Sequence, residues 1–180
     1  MRNVVVGAAL LALTGCAGTA APSGAAAPVT EAAAPATAAP APSASTAPEK
    51  AAGHGYDPSR DAAADIAAAR TAAKKDGRPV LIDFGADWCL DCVVLGKRFQ
   101  EPGPAALLAK YHVVTVDVGE FDRNLDVAAR YVDLEGSGIP ALVVLDPASG
   151  RIKVATNEGE FSNARTMSGA QVGAFLQRWA

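Results

Sequence analysis

The chain has 180 residues, enough for one ordinary domain plus extra segments, and half of them are hydrophobic, much of that being alanine in the first third. Its 16 Lys and Arg against 19 Asp and Glu leave a net charge of −3. That balance excludes the strongly basic field that holds nucleic acid or anionic lipid.

Met1-Arg2-Asn3 is a short positive start, and residues 4–13 form an uncharged apolar run too short to span a bilayer as a helix. Leu13-Thr14-Gly15-Cys16 follows, and it resembles the lipobox of bacterial lipoproteins. The resemblance implies that residues 1–15 are a cleaved signal and that the Cys16 thiol carries diacylglycerol. Two or more acyl chains there make a lasting membrane anchor where one is marginal. A plain secretory signal with an accidental cysteine is the alternative. Residues 16–55 are Ala, Pro, Ser, Thr and Gly with almost no large apolar side chain, so they cannot offset the entropy of ordering. They read as a semi-stiff tether, extended at ~3 Å per residue where proline dictates. His54 reads as a solvated residue of that tether rather than a ligand.

Residues 56–180 read as the folded domain. Asp57-Pro58 suggests an N-cap with proline at the first helical position. The alanine-rich helix after it carries Asp61 and Asp65 early and Lys74 and Lys75 late, and Gly77 and Pro79 end it. Residues 80–84 form an apolar run of strand length, residues 85–88 a turn, and a helix is predicted from Cys89 to about Gln100. Pro102 and Pro104 break that helix ahead of a short helical piece over 105–110. A second strand covers 112–118, and the spacing of Leu125, Ala128, Ala129 and Val132 predicts a helix over 122–132. A third strand over 141–145, a turn over 146–150 and a fourth strand over 151–156 make a hairpin. Ser168 and Gln171 form a capping-box pair for a last helix, with Val172, Phe175, Leu176 and Trp179 on its core face. The order predicts an α/β fold: a mixed sheet of about four strands, a parallel pair extended by an antiparallel hairpin, flanked by helices on both faces.

Cys89-Leu90-Asp91-Cys92 is the strongest chemical signal. Spaced three apart at a helix start, the two sulfurs can meet in a small disulfide loop. Unsatisfied N–H groups and the helix dipole at Cys89 stabilise a thiolate. Such a pair beside a strand–helix–strand pattern points to redox chemistry. A structural disulfide is the alternative, but so short a loop contributes little stability. Zinc needs four ligands. With Cys16 on lipid, two cysteines remain, and His54 and His112 lack ligand spacing, so no cofactor is expected beyond the dithiol.

The run from Val80-Leu81-Ile82-Asp83-Phe84 through Gly85-Ala86-Asp87-Trp88 to Cys89-Leu90-Asp91-Cys92 resembles the strand, buried acid, tryptophan and CxxC of thioredoxins. Gly138-Ile139-Pro140-Ala141 is similar to the Gly-Ile-Pro segment of that family. The resemblance implies a thioredoxin-like fold with Cys89 as nucleophile, Cys92 as resolving thiol and a disulfide between them. It makes Asp83 a buried acid relaying a proton with Cys92, and packs Trp88 beside the site. Pro140 is implied to be cis and to keep metals and wrong partners off the sulfurs, while Ile139 offers its backbone to an extended substrate. An acid inside an apolar strand is costly without such a job, although a satisfied structural residue is the alternative for Asp83.

Two departures modify the expectation. Leu90-Asp91 stands where the family usually has Gly-Pro, and a carboxylate at Asp91 or Asp87 opposes a thiolate, which favours a reductant over an oxidant. Residues 157–167 and 132–137 look longer than in plain thioredoxins. Glu158, Glu160 and Phe161 are therefore expected to help select the substrate, a tolerated surface insertion being the alternative.

The expected function is membrane-anchored thiol–disulfide exchange in the cell envelope, facing the periplasm or extracytoplasmic space. Its partners would be protein thiols and disulfides and a redox protein that donates or accepts electrons. Ala17 after the lipid cysteine suggests outer-membrane sorting by family analogy. The alternative is a redox-inactive or copper-handling binding module built on the same fold.

Overall fold

The computed structural model describes residues 55–180. The signal, Cys16, His54 and all of the tether except Gly55 lie outside the described residues.

Four strands form one sheet in the order β2-β1-β3-β4, made of β1 (Val80–Gly85), β2 (His112–Asp117), β3 (Ala141–Leu145) and β4 (Ile152–Ala155). β1 runs parallel to β2 and antiparallel to β3, and β3 pairs antiparallel with β4. This is the expected mixed sheet. β1 and β3 are buried along their whole length, which is why they read as unbroken apolar runs rather than as alternation.

Side-chain alternation along β1 divides the core in two. Val80, Ile82 and Phe84 join Ile66 and Ala73 of α1 (Ala62–Asp76) and Val127 of α4 (Leu125–Ala128) on one face. On the other, Leu81 packs with Leu95 and Phe99 of α2 (Leu90–Phe99), Leu108 of α3 (Pro102–Leu108), and Val172 and Leu176 of α6 (Gly169–Trp179). Asp83, two residues beyond Leu81, therefore faces α2. The Ser168–Gln171 capping box forms in both directions and starts α6.

Three elements differ from their sequence-based expectation. α1 is capped by Asp61, whose Oδ1 accepts from the Ala64 N–H at 2.9 Å. Asp57 instead accepts the Ser59 N–H two residues on, holding a turn before the helix, a competing use that Asp side chains make of the same geometry. α3 begins at Pro102 rather than after the prolines, because a missing N–H costs nothing in a first turn. The helix expected over 122–132 shrinks to α4. Phe121 (φ 60°) and Asn124 (φ 51°) are left-handed, and the Asn124 amide donates to the Asp117 carbonyl at 2.7 Å, so the chain turns here before it coils.

The segment between α4 and β3 forms the short α5 (Leu134–Ser137), capped by the Asp133 carboxylate. The Asn157 side chain accepts the Asp133 N–H at 2.9 Å, tying this segment to the one after β4. That later segment closes in a 3-10 turn, Ala164–Thr166. Phe161 within it is 1% exposed and meets Phe175 edge-on at 5.0 Å. It is a core residue and not the substrate contact expected above; an apolar ring inside a surface-length loop finds more to bury against α6 than against solvent. Among the described residues no helix is long and apolar enough to cross a membrane.

Phe161→Ala should therefore lower stability by about 3–5 kcal/mol. Urea unfolding measures it, and a change within about 0.5 kcal/mol, as at ordinary surface positions, would return Phe161 to the surface.

Candidate active site

β1 ends at Gly85, the chain turns through Ala86, Asp87 and Trp88, and Cys89 becomes the N-cap of α2. The Cys92 N–H points at the Cys89 sulfur, 3.1 Å away, so Cys89 occupies the place where a helix leaves its first donors unsatisfied. The two sulfurs are joined in a disulfide across a Cα–Cα distance of 5.2 Å. Cys89 is 6% exposed and Cys92 1%, so the outer sulfur is the one that solvent and partners can reach.

The Ile139–Pro140 peptide bond is cis, and the Ile139 carbonyl oxygen stands 3.6 Å from the Cys89 sulfur. Pro140 and Ile139 are thus brought against the disulfide from the start of β3. Trp88 is largely exposed. Its indole N–H donates to the Gly119 carbonyl at 2.8 Å and its ring centre lies 6.2 Å from that of Phe121. Glu158 and Glu160 are exposed on the segment after β4.

Asp83 is 3% exposed in the middle of the sheet. Burial pushes its carboxyl up from 3.8 to about 7, and a hydrogen bond from Tyr56 works against that rise. The Tyr56 hydroxyl lies 3.1 Å from each carboxylate oxygen. Its ring rests over Gly85, where any Cβ would collide with it. Asp83, Tyr56, Cys92, Lys97 and Thr115 line one cavity of about 290 Å³ behind the disulfide.

Tyr56 is the site residue that sequence reasoning missed, having marked only where order begins. A signal was present: it is the first aromatic residue after a long stretch without any. Asp91 behaves differently from the expectation. Its carboxylate accepts the Arg165 backbone N–H at 2.8 Å and pairs with the Arg165 guanidinium at 3.0 Å. Asp87 accepts the Tyr56 N–H at 2.9 Å. The Asp91 charge is offset by a cation, whereas Asp87 accepts a neutral N–H and keeps its charge, so the expected opposition to the Cys89 thiolate is reduced at Asp91 and not at Asp87. Among the described residues, no group of three or more His, Cys, Asp or Glu side chains is placed to hold a metal ion.

A sheet of this topology carrying a CxxC disulfide at a helix start defines a thiol–disulfide oxidoreductase of thioredoxin fold. Comparison with known proteins agrees. A family model described as thioredoxin-like matches residues 61–147. The crystal structure of a disulphide isomerase from Xylella fastidiosa Temecula1 is 40% identical, with a TM-score of 0.65, over 68% of this chain and 94% of that one. Thiol:disulfide interchange protein DsbD 2 of Pseudomonas aeruginosa is 32% identical over 111 residues, 60% of this chain. DsbD 1 of the same organism is 36% identical over 58 residues, 32% of this chain. The chain spans 17% and 10% of the length of those two curated relatives. The chain belongs to the thioredoxin-like family.

The Asp83 environment fixes a pH dependence of stability. Folding raises this acid's pKa, so the fold holds the proton more tightly than the unfolded chain does. The cost of ionising Asp83 inside the fold is absent below 3.8 and grows as pH rises through about 7, reaching on the order of 4 kcal/mol. Asp83→Asn should match the wild type in stability near pH 4 and exceed it by that order at pH 8. Urea unfolding of the oxidised protein at both pH values checks this; a gap of the same size at both would rule out a strongly raised Asp83.

Proposed function

We propose that the chain is a membrane-anchored, extracytoplasmic thiol–disulfide oxidoreductase that reduces disulfides of exported proteins. The observation that carries the redox reading is the Cys89–Cys92 disulfide at the start of α2, with Asp83 and Cys92 lining one cavity behind it.

The reaction starts from the dithiol. Cys89, as thiolate, attacks one sulfur of a client disulfide; the client S–S bond breaks and its other sulfur leaves as a thiolate. Cys92 then attacks the Cys89 sulfur of the mixed disulfide. Its thiol proton passes to the Asp83 carboxylate, the Cys89–Cys92 bond forms, and the second client sulfur leaves as a thiolate. Two electrons have moved from the dithiol to the client, and the chain is left in the oxidised form. A redox protein acting as electron donor then returns it to the dithiol.

Several features support these roles. Cys89 is the more exposed sulfur and sits among the free N–H groups of a helix start, which favour its thiolate. Asp83 has a pKa near the working pH, where a general base is most effective. A buried carboxyl sharing the cavity with Cys92 opposes a second negative charge on that sulfur. A reduced pair stabilised less in this way is a weaker oxidant, so Asp83 rather than Asp91 is the basis for the reductive direction. The Ile139 carbonyl and the exposed Trp88 flank Cys89, and a client main chain would lie along Ile139. The envelope location and the lipid at Cys16 rest on the order of charge, apolar run, small residues and cysteine at residues 1–16.

Cys92→Ser in the full-length protein should accumulate mixed disulfides with clients, and Cys89→Ser should trap none. Non-reducing gels of alkylated cells measure both, and equal trapping by the two variants would reverse the assignment. Cys16→Ser should abolish lipid labelling and release the protein from membranes. Undiminished membrane recovery of that variant would refute the anchor.

A further inference from the structure

We infer that Tyr56 is a positioning residue of this centre, its hydroxyl holding the Asp83 carboxylate as the proton acceptor for Cys92. The inference rests on the proton-relay role proposed for Asp83 and adds the group that sets it.

The geometry is specific. Among the described residues, only Tyr56 hydrogen-bonds the Asp83 side chain, and it does so at the same 3.1 Å to both oxygens. A hydroxyl donor stabilises a carboxylate far more than the neutral acid, because the ionised oxygens are the stronger acceptors. The ring is fixed at both ends. The Tyr56 backbone N–H is held by Asp87, and the ring fills the space that Gly85 leaves open beside Asp83. Burial and the neighbouring Asp83 charge hold the phenol pKa well above its ordinary value, so Tyr56 remains a protonated donor throughout the working range. The other titratable groups facing this cavity are Asp87 from the turn before α2, and Cys92 and Lys97 from α2; β2 contributes Thr115, which does not titrate. None of them makes a hydrogen bond to Asp83.

The consequence differs from that of simple packing. With the ring kept and the hydroxyl removed, Asp83 stays buried and loses its only compensating donor. Its affinity for a proton rises, so a smaller fraction of it is ionised and free to accept the Cys92 proton at neutral pH. A ring that merely fills space would change stability without moving the pH profile.

The test is stopped-flow single turnover of the reduced full-length protein with the aromatic disulfide 5,5′-dithiobis(2-nitrobenzoate), from pH 5 to 9, following resolution of the mixed disulfide. In the wild type the rate should rise with a midpoint at about 7. In Tyr56→Phe the midpoint should move up by about one pH unit, slowing resolution about tenfold at pH 6 and leaving it unchanged at pH 9. In an Asp83→Asn background the same substitution should have no effect. As a readout independent of activity, the carboxyl carbon of Asp83 followed by NMR in the oxidised protein should titrate about one pH unit higher in Tyr56→Phe. Gly85→Ala, which displaces the ring and leaves the hydroxyl intact, should raise it likewise. If Asp83→Asn abolishes the pH dependence but Tyr56→Phe shifts neither midpoint, the Tyr56 role is overturned and the relay stands. If Asp83→Asn keeps the wild-type profile, the relay itself fails, and this inference with it.

Discussion

A carboxyl group buried in the central strand of an apolar sheet is the constraint around which this molecule is arranged. Asp83 has paired strands on both sides, opposite Thr115 and Leu142, and is 3% exposed. A buried carboxylate without donors is expensive, and the fold offers it one phenol hydroxyl and a small cavity rather than a full set of partners. The shortfall is what leaves its pKa near neutrality, where the group can both take and return a proton. The same surroundings cost the domain stability, and the extensive apolar burial on both faces of the sheet carries that cost.

The disulfide depends on the same strand. β1 delivers the chain to the N-terminus of α2, and the parallel partner β2 requires the crossover that α2 and α3 supply. Cys89 therefore arrives as an N-cap, where a sulfur can stand in for the usual oxygen and accept a first-turn N–H. Cys92, one turn on, is turned inward toward the cavity that Asp83 shares. The start of β3, antiparallel to β1, brings Ile139 and Pro140 to the opposite side of the disulfide. Arg165 reaches back from the 3-10 turn to Asp91, so the segment before α6 is tied to the helix that carries the cysteines.

Charge near the sulfurs is thus governed by pairing rather than by composition. Asp87 and Asp91 flank Cys89 in sequence, yet Asp91 meets a cation, Arg165, while Asp87 accepts the neutral Tyr56 N–H. Asp83, six residues upstream of Cys89, is buried with a single hydroxyl as its donor among the described residues. A count of carboxylates around the motif therefore overstates the charge that Asp91 presents to the sulfurs.

Much of the fold was legible because its determinants are local or periodic. Apolar runs that need two covered faces mark β1 and β3, Ser168 and Gln171 mark the start of α6, and the CxxC spacing marks the redox pair. The misread elements are those where one residue has two good local uses. Asp57 serves a turn as readily as a cap, prolines start α3 as readily as they end α2, and Asn124 leaves the helical region to bond the Asp117 carbonyl. Tertiary structure alone decided that Phe161 belongs to the core, that Asp91 is paired, and that Tyr56 reaches Asp83 across 27 positions of sequence. Such contacts depend on which side chains the sheet and its crossovers bring together. Composition and spacing along the chain carry no record of that until the backbone has folded.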